Sequence, residues 1–97
     1  MSKRPTDYLD DAFVLEYLYS EKPIGQMPIS GTEKAIDIHG LAICTYVDTG
    51  SIYRFSCDIN WEVKNDAVCD SLDNAKRNIP PNYTIEGLEW IVLNRIE

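Results

Sequence analysis

The sequence predicts an α+β fold, in which helices cover one face of an antiparallel or mixed sheet. Two patterns lead to this prediction. Apolar and polar residues alternate without a break from Tyr53 to Val63, which is typical of a strand with one buried face. Segments 7–20 and 66–79 instead place apolar residues at the spacing of a helix. The predicted order is α-β-β-α-β, within a single small domain spanning residues 1–97.

The first element is predicted as a helix over residues 7–20. Thr6 is a suitable N-cap, and Asp7, Asp10 and Asp11 would lie in the first turn, where the helix dipole favours negative charge. The segment is also rich in aromatic residues, so a strand is the alternative. Residues 21–33 contain two prolines and two glycines and are predicted as a loop or a short edge piece.

The centre of the predicted sheet is a long hairpin of residues 35–47 and 52–63. Its turn signal is Asp48-Thr49-Gly50-Ser51, with Gly50 free to adopt a positive φ. A two-residue loop would place Tyr46 opposite Tyr53. In that register every core-face position of one strand meets an apolar residue or a glycine on the other. A slip of one residue would destroy this agreement.

The last two elements are a helix and a strand. Asn65 or Asp66 is expected to cap the helix, and the prolines at 80–81 end it. Residues 88–93 include a run that is apolar on both faces, Trp90-Ile91-Val92-Leu93. This run predicts a central or well-covered strand.

The charge balance limits the classes of partner. The net charge is −7 and the isoelectric point is about 4.5, whereas binding to phosphate backbones or anionic lipid requires clusters of Lys and Arg. We therefore expect no direct nucleic-acid or membrane contact, and we expect attraction to a basic protein.

The cysteines and the apolar runs indicate the compartment. Three cysteines without a CxxC spacing suit free thiols in a reducing cytoplasm. No apolar run has transmembrane length, and we expect no targeting segment.

Catalytic chemistry is not indicated by the sequence. No phosphate-binding, nucleophile-elbow or metalloprotease motif is present. In regular strand geometry, His39 points away from Cys44, which disfavours a Cys–His nucleophile. A flat strand face with one imidazole also converges poorly on a metal ion. We therefore expect no enzyme, no cofactor and no metal site.

The outer face of the hairpin is the predicted partner-binding surface. In the expected register Asp37 lies opposite Glu62, so two carboxylates face each other across the strands. Exposed apolar residues among the acids suggest a protein-binding patch, and a plain solvated face is the alternative. The candidate partner-binding residues are Asp37, His39, Leu41, Ile43, Asp58, Asn60 and Glu62, with Asp7, Asp10 and Asp11 of the first helix.

These features predict a small acidic inhibitor that neutralises a basic partner by occlusion. The partner would be a nuclease toxin, which makes this an immunity- or antitoxin-like protein, or a nucleic-acid-binding enzyme, as for a phage anti-defence protein. Charge would set the rate of association. The alternative is a non-catalytic structural or regulatory subunit, with a homodimer formed through the first helix or an edge strand.

Overall fold

The computed structural model describes residues 4–29 and 31–95, and it is mostly β-structure. Strands account for 45% and helix for 7% of the described residues, so the predicted α+β fold with helices on one face is wrong. The strands are β1 (Tyr8–Leu9), β2 (Ala12–Tyr19), β3 (Gly25–Pro28), β4 (Ala35–Ile38), β5 (Gly40–Tyr46), β6 (Ser51–Cys57), β7 (Val63–Cys69) and β8 (Ile91–Val92), and the helix is α1 (Leu72–Arg77).

The main sheet is antiparallel and curls into a half-barrel. Its strand order is β1-β2-β5-β6-β7, and β8 pairs with β2 beyond the end of β1. Strands β3 and β4 form a separate two-stranded sheet. One edge of β2 is therefore covered first by β1 and then by β8, while β7 forms the opposite edge of the sheet.

The segment predicted as the first helix forms strands β1 and β2. Asp10 and Asp11 make the turn between them, with φ angles of 47° and 66°, as expected for a tight hairpin turn. Along β2, Tyr17 and Tyr19 belong to one buried cluster and Leu18 to another. Because both faces of the strand meet apolar neighbours, the apolar spacing that suggested a helix fits a doubly covered strand equally well.

The alternating run from Tyr53 to Val63 is not one strand, because the chain turns after Cys57. The Asp58 carboxylate accepts the backbone N–H groups of Asn60 at 2.8 Å and Glu62 at 2.9 Å. Trp61 completes the turn with a φ of 65°. Side-chain bonds of this kind compete with the hydrogen bonds of a sheet, so β6 ends here and the chain returns as β7.

The predicted hairpin register is wrong by two residues. Cys44, not Tyr46, lies opposite Tyr53, and Tyr46 lies opposite Ser51 across a four-residue loop. The backbone N–H groups of Thr49 and Gly50 both donate to the Tyr46 carbonyl, which stabilises the longer loop. A shift of two residues keeps every side chain on its original face. The two faces of β5 and β6 were therefore predicted correctly, although their partners were not.

Three other boundaries also differ from prediction. The strand expected over 35–47 breaks at His39, because β4 leaves the main sheet and pairs with β3. Residues 66–69, predicted as the start of a helix, belong to β7 and pair with β6. The helix begins only after Ser71, whose hydroxyl accepts the Asn74 N–H at 3.0 Å. The predicted central strand near the C-terminus is the two-residue edge strand β8, with both residues exposed.

Strand β5 lies in the middle of the protein and is buried on both faces. On one face, the curl of the sheet encloses Ala42, Cys44, Tyr17, Phe55 and Trp61. The opposite face is covered by the chain after β7, and its buried cluster is Leu18, Ile24, Ile38 and Leu41, with Met27, Ile79, Tyr83, Ile85, Leu88 and Trp90 packed against it.

Polar contacts attach the covering segment to the sheet. The buried Arg54 guanidinium donates to the Ala75 carbonyl at 3.1 Å. Lys76 forms an ion pair with the buried Glu16 carboxylate at 2.8 Å. Further along, the Tyr83 hydroxyl donates to Ser56 at 3.0 Å. These contacts satisfy polar groups that would otherwise be buried alone, and they determine where α1 sits.

Replacing Lys76 by Met tests the ion pair under α1. We expect a loss of about 1–3 kcal/mol in the free energy of unfolding near neutral pH, because the buried Glu16 carboxylate loses its counter-ion. The loss should shrink in a Glu16→Gln background, where no buried carboxylate is left without a counter-ion. Urea unfolding of the wild type, the two single variants and the double variant measures it. An equal loss in the two backgrounds would show that Lys76 contributes only packing.

Replacing Gly40 by Ala tests the packing of Trp61 on the sheet. A Cβ atom at Gly40 would lie 2.6 Å from Cζ3 and 2.7 Å from Cη2 of Trp61, so we expect a loss of about 1–3 kcal/mol. In a Trp61→Phe background, which lacks these ring atoms, the same substitution should cost less than half as much. A double-mutant cycle by urea unfolding gives the coupling. Equal costs in the two backgrounds would contradict this contact.

Candidate functional site

The structure does not bring the predicted partner-binding residues together on one surface. Leu41 and Ile43 are fully buried, and His39 is 7% exposed. The prediction that they lie on an open outer face is wrong. For Leu41 and Ile43 the reason is that α1 and the chain after it cover that face. Sequence periodicity identified the correct face but contained no signal for the cover.

His39 has a structural environment. Its Nδ1 lies 3.0 Å from the Ser20 carbonyl, and its ring stacks on Tyr19 with 6.4 Å between the centroids. Because a carbonyl oxygen only accepts, Nδ1 carries the proton in this contact. The one imidazole of the chain is therefore held in the interior, away from the carboxylates that were predicted to surround it.

The acids of the predicted patch are dispersed and mostly engaged. Asp37 lies on β4, where it accepts a hydrogen bond from Gln26 at 2.7 Å. Asp58 organises the turn after β6, and Lys64 forms ion pairs with Asp58 at 3.9 Å and Glu62 at 3.0 Å. The predicted opposition of Asp37 and Glu62 does not occur, since β4 pairs with β3. Asn60 is exposed in the same turn, and a partner-binding role for these residues stays a prediction.

Asp7, Asp10 and Asp11 lie at the other edge and end of the sheet. The Asp7 carboxylate accepts a hydrogen bond from Asn94 at 3.3 Å. Asp10 and Asp11 form the exposed turn between β1 and β2. The pairing of Phe13 with Thr45 brings this turn to the same end of the sheet as the loop between β5 and β6.

That end of the sheet carries a group of acids that we call the acidic rim. The loop after β5 contributes Asp48, and the pairing of Ile52 with Cys69 brings Asp70 to the same end. Asp66 lies on β7, opposite Phe55. The five residues of the acidic rim are Asp10, Asp11, Asp48, Asp66 and Asp70, all of them exposed.

Tyr46 connects the two sides of the acidic rim. Its hydroxyl donates to the Asp10 backbone carbonyl at 3.3 Å. Its pKa is raised, first by desolvation and then by the charges of Asp10, Tyr53 and Asp66. Carboxylates from the first turn and from the far edge strand therefore both act on this one hydroxyl.

The surface beside these acids is aromatic and aliphatic. Tyr46 and Tyr53 are half-buried and meet edge to face, with 5.3 Å between ring centroids. Val68, which is 72% exposed, lies opposite Tyr53 on the same face of the sheet, and Val47 in the neighbouring loop is 73% exposed. Apolar and tyrosine side chains surrounded by polar residues are typical of protein-binding surfaces.

The acidic rim is not neutralised within the described part of the chain. The ion pairs there join Lys64, Lys76 and Arg77 to other acids, and none involves a carboxylate of the acidic rim. Exposed carboxylates without counter-ions create a negative potential that attracts cationic groups. The arrangement is therefore suited to receiving basic side chains.

Sequence reasoning missed most of this surface. Asp66 was assigned to a helix cap, and Tyr46 and Tyr53 were placed in the core, where they are only half-buried. The available signal was the position of acids in or beside turns, at Asp10, Asp11 and Asp48. These acids could be recognised as parts of one surface only once β7 was known to be a strand.

The reactive groups among the described residues are few. Burial raises the pKa of the Cys44 thiol to about 12 and also raises that of Cys57, so both are poor nucleophiles. Residues 4–29 and 31–95 contain no group of three or more His, Cys, Asp or Glu side chains arranged to hold a metal ion. Nor does any helix in those ranges have the length and apolar character needed to cross a bilayer.

Searches against protein-family models, curated proteins and solved structures found no match for this chain. Its function is therefore inferred from its own residues.

The three free cysteines should differ sharply in reactivity. Cys44 and Cys57 are buried and Cys69 is half-buried on the edge strand β7, so iodoacetamide near pH 8 should label Cys69 alone in the folded protein. Mass spectrometry of peptides identifies the labelled position. All three should react in denaturing urea, which serves as the control, and rapid native labelling of Cys44 or Cys57 would contradict the burial of the curled face.

Proposed function

We propose that this chain is a small acidic protein that binds a basic protein and blocks the surface with which that partner holds an anion. The acidic rim, five exposed carboxylates without ion pairs in the described residues, is the observation that carries the proposal. The partner class is a nuclease or another nucleic-acid-binding enzyme, since such proteins present cationic grooves that fit phosphate. Inhibition is by occlusion and requires no catalysis.

The charges and the apolar residues have different tasks in this proposal. The net charge of −7 accelerates encounter with a cationic surface, and the acidic rim orients the encounter. The partner then covers four exposed or half-buried side chains, Tyr46, Tyr53, Val47 and Val68. Burial of these side chains slows dissociation. Asp37, Asp58 and Glu62 would contribute only to the long-range field, because they are already partnered in the protein.

A cytoplasmic location belongs to the same proposal. The three cysteines are free, and free thiols are typical of a reducing compartment. Nucleic-acid-binding enzymes are present there, so inhibitor and partner would meet without export.

A second candidate function is a non-catalytic subunit that dimerises. Strand β7 lies at the open edge of the main sheet over seven residues, and a second copy could pair with it. Sedimentation distinguishes the two functions. A tight dimer that persists when the acidic rim is neutralised favours the subunit, and a monomer favours the inhibitor.

Matched charge variants test the inhibitor. The rim variant replaces Asp10, Asp48, Asp66 and Asp70 by Asn, which also tolerates the positive φ at position 10. The control variant replaces four exposed acids elsewhere by Gln, namely Glu21, Glu33, Glu86 and Glu89. Each variant has four fewer carboxylates, so both change the net charge from −7 to −3.

The two variants and the wild type are used as tagged baits in host lysate, and captured proteins are identified by mass spectrometry. We expect the wild type and the control variant to retain a basic partner that the rim variant loses. With the purified partner, the association rate should fall by about tenfold or more between about 50 mM and about 500 mM NaCl. Equal losses in both variants would show a non-specific charge effect and contradict the assigned surface.

A further inference from the structure

A cavity lies beside α1, on the face of the sheet opposite the curled core. Its volume is about 420 Å³, which is within the range of small-molecule sites. Four apolar side chains line it, Leu15, Ile52, Leu72 and Val92, and its polar lining includes Glu16 and Arg95. These residues come from β2, β6, α1, β8 and the segment after β8, so only the folded chain assembles the cavity.

The wall that carries Arg95 is firmly attached to the sheet. The register of β2 shifts between Val14 and Glu16, which marks a bulge at Leu15. The backbone N–H groups of Leu93 and Asn94 both donate to the Leu15 carbonyl, at 2.8 and 3.1 Å. The Asn94 side chain donates to the Val14 carbonyl at 2.9 Å. A bulge of this kind is a common device for re-aiming side chains beside a site.

Two charged side chains, Glu16 and Arg95, line the cavity. Glu16 is buried, and Lys76 neutralises it at 2.8 Å. Arg95 is exposed, and within the described residues it has no ion pair or hydrogen bond. Of the two charged side chains in the lining, Glu16 is therefore paired and Arg95 is not. The nearby Asp7 carboxylate accepts a hydrogen bond from the lining residue Asn94. A guanidinium in that position matches a carboxylate, which it can hold with two parallel hydrogen bonds.

We propose that this cavity binds a small monocarboxylate with an apolar body, such as a medium-chain or aryl-aliphatic acid. The guanidinium of Arg95 holds the carboxylate at the mouth, and the apolar body contacts Leu15, Ile52, Leu72 and Val92. An amine of the same shape is disfavoured, because the lining carboxylate, Glu16, is already paired with Lys76 and Arg95 repels an ammonium group. The proposal does not rest on the acidic rim, although one rim residue, Asp70, lies two positions before the lining residue Leu72.

The probe is octanoate, compared with octanol and octylamine, and the readout is methyl NMR of the full chain. We expect saturable shifts of the Leu15, Ile52, Leu72 and Val92 methyl groups with octanoate. Octanol should bind about tenfold or more weakly, because it lacks the charge that Arg95 pairs with. Octylamine should bind more weakly still. Equal binding of octanoate and octanol, non-saturable shifts spread over the surface, or no shift at all would overturn the proposal.

Two variants and a control locate the binding. Arg95→Gln should weaken octanoate by about tenfold and leave octanol unchanged. Leu72→Trp, which fills the cavity, should abolish binding of both. Arg77→Gln is the matched control, because Arg77 lies on α1 and already pairs with Asp73, so octanoate affinity should not change. Urea unfolding of each variant confirms that it is folded, and unchanged octanoate affinity in folded Arg95→Gln would overturn the assigned role.

Discussion

The structure depends on a central strand that must be covered on both faces. From Leu41 to Cys44, every side chain of β5 is fully buried, and burying one large apolar side chain contributes about 1.5–3 kcal/mol. A single curled sheet shelters side chains on its concave face only. This sheet curls over Ala42 and Cys44, and it requires a separate cover for Leu41 and Ile43. The positions of α1 and of the C-terminal chain follow from that requirement.

The covered outer face is not purely apolar, and its polar groups position the cover. Glu16 and Arg54 flank Ile43 on neighbouring strands, and both are buried. Each would be costly without a partner, and α1 supplies both partners within two consecutive residues, the Ala75 carbonyl and the Lys76 ammonium. Apolar contact alone would let a six-residue helix slide, whereas two directional bonds define one position. The cavity beside α1 is the space that the helix, held in this position, does not fill.

Charge is distributed unevenly over the molecule, and this gives the two proposed sites opposite chemistry. Lys64 and Lys76 neutralise acids on the turn after β6 and under α1, while the acidic rim has no counter-ion in the described residues. Arg95 is a positive group beside an apolar cavity. One surface is therefore suited to a large cationic protein and the other to a small apolar anion. Because the two proposals depend on different side chains, they can be tested separately.

The sequence by itself determined the charge, the free thiols, the turn near Asp48 and the two faces of β5 and β6. These depend on composition or on the period of two, which a register shift of two residues does not alter. Tertiary structure decided whether 12–19 is a helix or a strand, because a segment that is apolar on all sides fits both until its neighbours are known. It also decided that Leu41 and Ile43 are covered and that Asp66 and Tyr46 share a surface. Those outcomes depend on contacts between segments distant in sequence, which no local pattern of residues records.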